Sequence, residues 1–74
     1  MAEGLTLRTG DHVILHHPMV LEVGTVEAVQ DDGVLVRIGH RRLLVGTEFL
    51  SRYRTHAEAV TDWRAMRKAI DQDR

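Results

Sequence analysis

The sequence predicts a mainly β fold, a small five-stranded barrel over residues 10–54 followed by one C-terminal amphipathic helix over residues 55–71. Three observations predict it. Short valine-rich segments alternate with glycine-containing turns between residues 10 and 53, as in small barrels. After Tyr53 the apolar residues follow a helical period instead. The chain has 74 residues, which is the length of one domain.

The first two strands follow residues 1–9, which are expected to form a loose leader. Val13 and Leu15 alternate with their neighbours in the first strand. Pro18 ends that strand, because proline cannot donate a ladder hydrogen bond. The second strand is expected over residues 22–29, and its internal Gly24 predicts a bulge or a sharp bend.

Two tight turns are expected on either side of a central strand at residues 34–38. Asp32-Gly33 has the composition of a type I′ turn, which needs positive φ at both central residues. Gly39-His40 suits a type II′ turn, because glycine stands first, and leads into a strand at residues 41–45. A short turn and the last strand are expected over residues 49–53.

The turn at residues 39–40 fixes the pairing of the two strands that it joins. A two-residue loop sets Arg37 opposite Arg42, and Leu35 opposite Leu44. Because side chains alternate between the two faces of a sheet, these four residues are expected to share the outer face. The residues expected to point into the barrel are Val34, Val36, Leu43 and Val45.

The opposed pair Arg37 and Arg42 requires an anion. Like charges directly opposite each other in a sheet cost up to about 1 kcal/mol. Two sources of negative charge are open at this point. One is a carboxylate from a neighbouring strand or from the helix, and the other is an external phosphate or an acidic partner.

The C-terminal helix begins with a capping box and has one apolar stripe. Thr55 and Glu58 have the capping-box spacing. The stripe is expected to cover the apolar pair Leu35 and Leu44 within the same chain. Alternatively, the helix or the sheet pairs with a second copy of the chain, as a homodimer, or with a partner protein. The stripe residues are Val60, Trp63, Met66 and Ile70.

Three segments of the predicted barrel resemble the KOW motif: Gly10-Asp11-His12-Val13, Gly24-Thr25-Val26 and Asp32-Gly33-Val34-Leu35-Val36. KOW motifs occur in the Src-homology-3-like barrels of ribosomal and transcription-elongation proteins. The resemblance covers residues 10–53 and implies a Src-homology-3-like barrel that contacts nucleic acid. The family's motif segment is usually basic, whereas residues 10–36 here contain no lysine or arginine.

Positive charge is concentrated in the second half of the predicted barrel, although the net charge of the chain is −1. Between Arg37 and Arg54 there are five arginines and one acid, Glu48. We therefore expect a non-catalytic binding or adaptor module that contacts an acidic protein partner or protein complex. The residues expected to bind it are Arg37, His40, Arg41, Arg42, Arg52, Tyr53 and Arg54.

Two other functions remain as alternatives. Tyr53 beside several arginines would suit nucleic-acid or ribonucleoprotein binding, because aromatic rings stack on bases while arginines contact phosphates. An oligomeric enzyme with a site between subunits is the remote alternative. The sequence has no cysteine nucleophile and no glycine-rich phosphate loop, and Ser51 is its one serine.

The remaining expectations concern cofactors and location. The chain has no cysteine, which excludes disulfides and the common zinc sites. His12 and His16 are on one side of a strand but about 13 Å apart, too far for one ion. We expect no metal and no cofactor. No apolar run approaches the roughly 20 residues of a membrane span, so no membrane contact is expected. The lack of cysteine, and an N-terminus without a basic start followed by an apolar run, predict a cytoplasmic protein.

Overall fold

The computed structural model describes residues 6–72, which form five antiparallel strands in one sheet followed by a single helix. The predicted succession of five strands and one helix is confirmed. The elements are β1 (His12–His17), β2 (Val20–Gln30), β3 (Gly33–Ile38), β4 (Arg41–Val45), a 3-10 turn (Thr47–Phe49), β5 (Leu50–Tyr53) and α1 (His56–Gln72).

The sheet is open, which corrects the expectation of a closed barrel. The strand order is β4-β3-β2-β1-β5, so β4 and β5 are the two edges. Within residues 6–72, no ladder hydrogen bonds join them. β5 has only four residues, and all of them pair with β1. The short last strand therefore extends the sheet beyond β1 instead of returning to β4.

One face of the sheet, the inner face, carries the main core. Val13 and Val36 are fully buried, and strand alternation brings their neighbours of the same parity to this face. Of the residues expected inside, Val34 and Val36 are buried, and Leu43 and Val45 pack against the same cluster. The buried cluster consists of Leu7, Val13, Leu15, Val26, Val34, Val36 and Leu50.

The described part of the expected leader is held against the sheet, and residues 1–5 lie outside the described residues. Leu7 belongs to the buried core. The backbone N–H of Gly10 donates to the carbonyl of Val26 at 2.8 Å, and the Thr9 hydroxyl donates to the carbonyl of Glu27 at 3.2 Å. Residues 6–9 are thus anchored to the sheet rather than loose.

The turn between β3 and β4 has the predicted geometry. Gly39 has a φ of +63°, and His40 has no positive φ, as a type II′ turn requires. The register is the predicted one, with Arg37 opposite Arg42 and Leu35 opposite Leu44. The β2–β3 hairpin differs, because its two turn residues are Asp31 and Asp32 and neither has positive φ. The type I′ turn expected at Asp32-Gly33 is therefore wrong.

The bulge in β2 lies three residues beyond the glycine that was expected to mark it. Pairing with β3 shifts between Val26 and Ala28, which leaves Glu27 as the extra residue. Gly24 instead allows β3 to approach closely: a Cβ there would lie 2.7 Å from Val36 Cγ1 and 2.9 Å from the Arg37 carbonyl oxygen.

The helix packs on the outer face of the sheet over β1, β2 and β5. The Thr55 half of the predicted capping box is confirmed, since the Thr55 hydroxyl accepts a hydrogen bond from the Glu58 N–H at 3.1 Å. Ala59 and Ile14 are fully buried and lie outside the main core cluster. They therefore mark a second, smaller core between α1 and β1.

The helix leaves Leu44 50% exposed, so the expectation that it covers Leu35 and Leu44 is wrong. Only residues 54 and 55 connect β5 to α1. So short a connection places the helix over the strands next to β5, and β3 and β4 are at the other end of the strand order. The outer face of these two strands remains uncovered.

Candidate functional site

The uncovered part of the outer face forms a surface that we call the β3–β4 surface. It consists of Leu35 and Arg37 from β3, Arg42 and Leu44 from β4, and the bulge residue Glu27 from β2. Cross-strand pairing places the two leucines side by side and the two arginines side by side. The surface therefore combines an apolar half with a charged half.

Glu27 supplies the negative charge that the opposed arginines require. Its Oε1 lies 2.8 Å from Nε of Arg42, and its Oε2 lies 3.4 Å from Nε of Arg37. A carboxylate from a neighbouring strand, one of the two sources of negative charge left open by the sequence, is therefore in place. One carboxylate faces two guanidinium groups, however, which leaves a surplus of one positive charge.

The two arginines remain accessible despite this ion pair. Their side chains are 55% and 64% exposed, compared with 24% for Glu27. The contacts with Glu27 use Nε of each guanidinium. Each exposed guanidinium also carries two terminal amino groups. They are donors suited to a second, external carboxylate.

Replacing Glu27 with glutamine is expected to lower the free energy of unfolding by about 1 kcal/mol at low salt, because it leaves two opposed guanidinium groups without a carboxylate. Urea denaturation at low and high salt measures the change, which should shrink as salt screens the arginines. The double variant Glu27→Gln/Arg42→Gln removes the repulsion and should regain most of the loss. A loss that is the same at both salt concentrations would contradict the electrostatic explanation.

The other residues expected at the contact face are divided between different places. His40 lies in the exposed β3–β4 turn. Arg41 pairs with Ile38 and has the inward parity of Leu43, so it points away from Arg42. The Arg52 guanidinium donates from Nη1 to the carbonyl of Thr6 at 3.0 Å. Arg54 is exposed just after β5, at the opposite edge of the sheet from β4.

Tyr53 is tied to the helix. Its hydroxyl donates to Oδ2 of Asp62 at 2.9 Å. Burial raises the pKa of Tyr53 above its usual value of 10.0, and the hydrogen bond and negative charge of Asp62 raise the pKa further. The side chain is half-buried and serves the contact between β5 and α1. The structure therefore does not place an open aromatic ring among the predicted arginines.

The fold brings together one serine and one histidine that are distant in sequence. The Ser51 hydroxyl lies 3.2 Å from Nε2 of His16. A nucleophile–base pair also needs a group that orients the base. Within residues 6–72 no carboxylate bonds to His16, and no group of three or more metal-binding side chains could hold an ion. This contact is a cross-strand pair on an exposed face.

A second surface was not foreseen from the sequence. Met19, in the turn between β1 and β2, is 84% exposed, and Ile70 of α1 is 48% exposed. Both line a groove together with Leu21 and Arg67. Ile70 was predicted as part of the helix stripe, but Met19 follows a proline in a turn, and no periodic pattern assigns a turn residue to a face.

The other stripe residues are half-buried against the sheet: Val60, Trp63 and Met66. Trp63 donates from Nε1 to the carbonyl of Leu21 at 2.8 Å, which fixes the helix across β2. The expectation that the helix docks within its own chain therefore holds for most of the stripe, although it docks over β1, β2 and β5, while the last stripe residue, Ile70, remains exposed.

The chain matches no protein-family model, no curated protein and no solved structure. The resemblance to the KOW motif therefore stays a prediction. No helix among residues 6–72 combines the length and apolar character that crossing a bilayer requires.

Proposed function

We propose that this chain is a non-catalytic binding module that takes up an acidic, extended segment of a protein partner on the β3–β4 surface. The observation that carries the proposal is the arrangement of Glu27 between Arg37 and Arg42. It leaves two exposed guanidinium groups with one surplus positive charge beside the half-exposed Leu44. Guanidinium groups hydrogen-bond carboxylates well, and Leu44 offers apolar contact.

The edge position of β4 supports an extended partner. Among the described residues β4 pairs only with β3, so one side of its backbone has unpaired N–H and C=O groups. A strand added there gains main-chain hydrogen bonds, and alternate side chains give specificity. Since Arg42 and Leu44 share one face of β4, the partner is expected to alternate acidic and apolar residues on that face.

The placement of the other arginines favours a protein over a nucleic acid as the partner. Binding of single-stranded nucleic acid uses a basic groove with aromatic rings that stack on bases. Here Arg52 is bonded to Thr6, and the Tyr53 hydroxyl is bonded to Asp62. Neither lies beside Arg37 and Arg42, because β5 and β4 are opposite edges of the sheet.

A blocked synthetic peptide that presents glutamate and valine alternately on one face provides the direct test. We expect its addition to shift the amide NMR signals of β4 and β3. Replacing Arg42 with glutamine should weaken binding by about ten-fold, since a hydrogen bond to a charged group contributes about 1.5–3 kcal/mol. Arg64→Gln, the same charge change on an exposed helix position, should leave affinity nearly unchanged.

Two further probes separate the classes of partner. A lysine–valine peptide of the same pattern should not bind, and a single-stranded thymidine oligonucleotide should bind no better than the acidic peptide. Tight oligonucleotide binding with a steep dependence on salt would favour the nucleic-acid alternative. Failure of the acidic peptide to bind at about 50 mM salt, or equal effects of Arg42→Gln and Arg64→Gln, would contradict the proposal.

A further inference from the structure

A groove of about 560 Å³ separates the β1–β2 turn from the C-terminal part of α1. Its apolar walls are supplied by Met19 and Ile70, which are 84% and 48% exposed, together with Val20 and Leu21. Two of the four most exposed large apolar side chains of the described chain therefore lie together. Exposed apolar side chains that cluster in this way mark contact surfaces.

The helical wall of this groove carries two opposite charges, Arg67 and Asp71. They are one turn apart on α1 but form no ion pair with each other among the described residues. A base placed N-terminal to an acid is the less favourable order for such a pair. Asp71 also lies in the last turn of α1, where the helix dipole disfavours negative charge, and the described last turn has no basic residue.

We infer that a second copy of this chain covers the groove and forms a two-fold symmetric dimer. An axis crossing α1 between Arg67 and Asp71 sets the two helices antiparallel. It places Arg67 of each copy beside the partner's Asp71, and Met19 and Ile70 of each copy against the other. In a two-fold interface the same patch of each copy faces the other, so the patch must be self-complementary. A patch with a positive charge on one side of the axis and a negative charge on the other meets this requirement.

Charge balance distinguishes this occupant from an acidic partner protein. The β3–β4 surface has surplus positive charge, whereas Arg67 and Asp71 cancel on the groove wall. The guanidinium of Arg67 lies 5.7 Å from the centre of the Trp63 ring, and this contact holds it along the helix.

Sedimentation equilibrium of the full chain over a range of concentrations tests the inference. We expect a monomer–dimer equilibrium, which Ile70→Asp should shift to monomer. Arg67→Asp alone should raise the dissociation constant of the dimer by about ten-fold or more, because it opposes like charges across the axis. The double variant Arg67→Asp/Asp71→Arg restores opposite charges and should regain most of the affinity.

The charge exchange remains informative even though Arg67 also contacts Trp63, because the single and double variants both lose that contact. A mixture offers a second readout: the Arg67→Asp chain and the Asp71→Arg chain should associate with each other more tightly than either does with itself. Far-UV circular dichroism of each variant should show an unchanged helix, so that lost association is not mistaken for unfolding.

Three results would overturn the inference: a monomer at all concentrations, a dimer that Ile70→Asp leaves intact, or a double variant no better than Arg67→Asp. Leu44→Asp serves as the matched control, because it places the same charge on the other apolar surface. It should leave the dimer intact while it alters peptide binding. If Leu44→Asp alone abolishes the dimer, the copies join through β4, and the groove is not the interface.

Discussion

The variant Trp63→Ala is expected to lose about 3 kcal/mol of unfolding free energy. Trp63 is the main anchor of α1: its half-buried ring lies on the sheet side of the helix, and its Nε1 donates to the carbonyl of Leu21 at 2.8 Å. Truncation of a large aromatic side chain to alanine costs about 3–5 kcal/mol when the ring is buried. Because this ring is only partly buried, we expect the lower end of that range.

A loss of this size is large for so small a domain. The hydrophobic core of a domain of this length rarely supplies more than about 3–5 kcal/mol. Without the ring, α1 keeps the fully buried Ala59, its half-buried neighbours and the hydrogen bond from Tyr53 to Asp62. We therefore expect Trp63→Ala to keep at most about 2 kcal/mol of unfolding free energy, so that part of the population is unfolded, or has a helix detached from the sheet, at 25 °C.

Urea denaturation followed by far-UV circular dichroism measures the effect, since the variant lacks the chain's single tryptophan. Trp63→Phe is the matched control. It keeps an aromatic ring and loses the hydrogen bond to Leu21, which should cost about 1 kcal/mol for the bond. If Trp63→Ala unfolds at nearly the same urea concentration as the natural chain, the helix is not a stabilising part of the fold.

The register of the β3–β4 hairpin could be predicted because one local feature determines it. Glycine at the first turn position accepts positive φ, which sets a two-residue loop, and the loop sets every pair that follows. The cross-strand pairing of Arg37 with Arg42, and of Leu35 with Leu44, followed from that turn. The need for an anion followed in turn from like charges being opposed.

The identity of that anion could not be predicted, since it depends on the position of a bulge. The β2 bulge falls at Glu27 and not at Gly24, and a shift of one residue decides which side chain faces the arginines. A bulge depends on the packing of both strands together. Several acidic residues of the sequence satisfied the requirement equally well.

The grouping of the basic residues failed for a similar reason. Closeness in sequence between Arg42 and Arg52 suggested one surface, but strand order separates β4 from β5 by the full width of the sheet. The placement of α1 likewise depends on the two-residue link after β5, which brings it over β1 and away from Leu44. Both placements follow from the topology of the fold, which the hydrophobic periodicity of the sequence does not reveal.

Gly24→Ala is expected to destabilise the fold by about 1–3 kcal/mol, although it adds a single methyl group. The new Cβ would lie 2.7 Å from Val36 Cγ1 and 2.9 Å from the carbonyl oxygen of Arg37. Val36 is fully buried, so its side chain has no room to turn aside, and the carbonyl belongs to the backbone of β3. Relief therefore requires β2 and β3 to separate.

Such a separation would act directly on the β3–β4 surface. Thr25, the next residue, pairs with Arg37, and the bulge that presents Glu27 follows two residues later. Gly24→Ala should therefore also weaken the ion pair between Glu27 and the two arginines. The amide NMR signals of Arg37 and Arg42 are expected to move more than those of α1.

Gly46→Ala provides the matched control, because it makes the same chemical change at a glycine where the atoms nearest to the new Cβ belong to a side chain and not to the backbone. Gly46 has a φ of −75°, which alanine adopts without strain, and the three atoms nearest to a Cβ there all belong to the carboxylate of Glu48. That carboxylate ends a flexible, exposed side chain and can move aside. We expect urea denaturation to show a change in unfolding free energy within about 0.5 kcal/mol for this variant. Equal losses of unfolding free energy for Gly24→Ala and Gly46→Ala would contradict the close approach of β3 to β2 at Gly24.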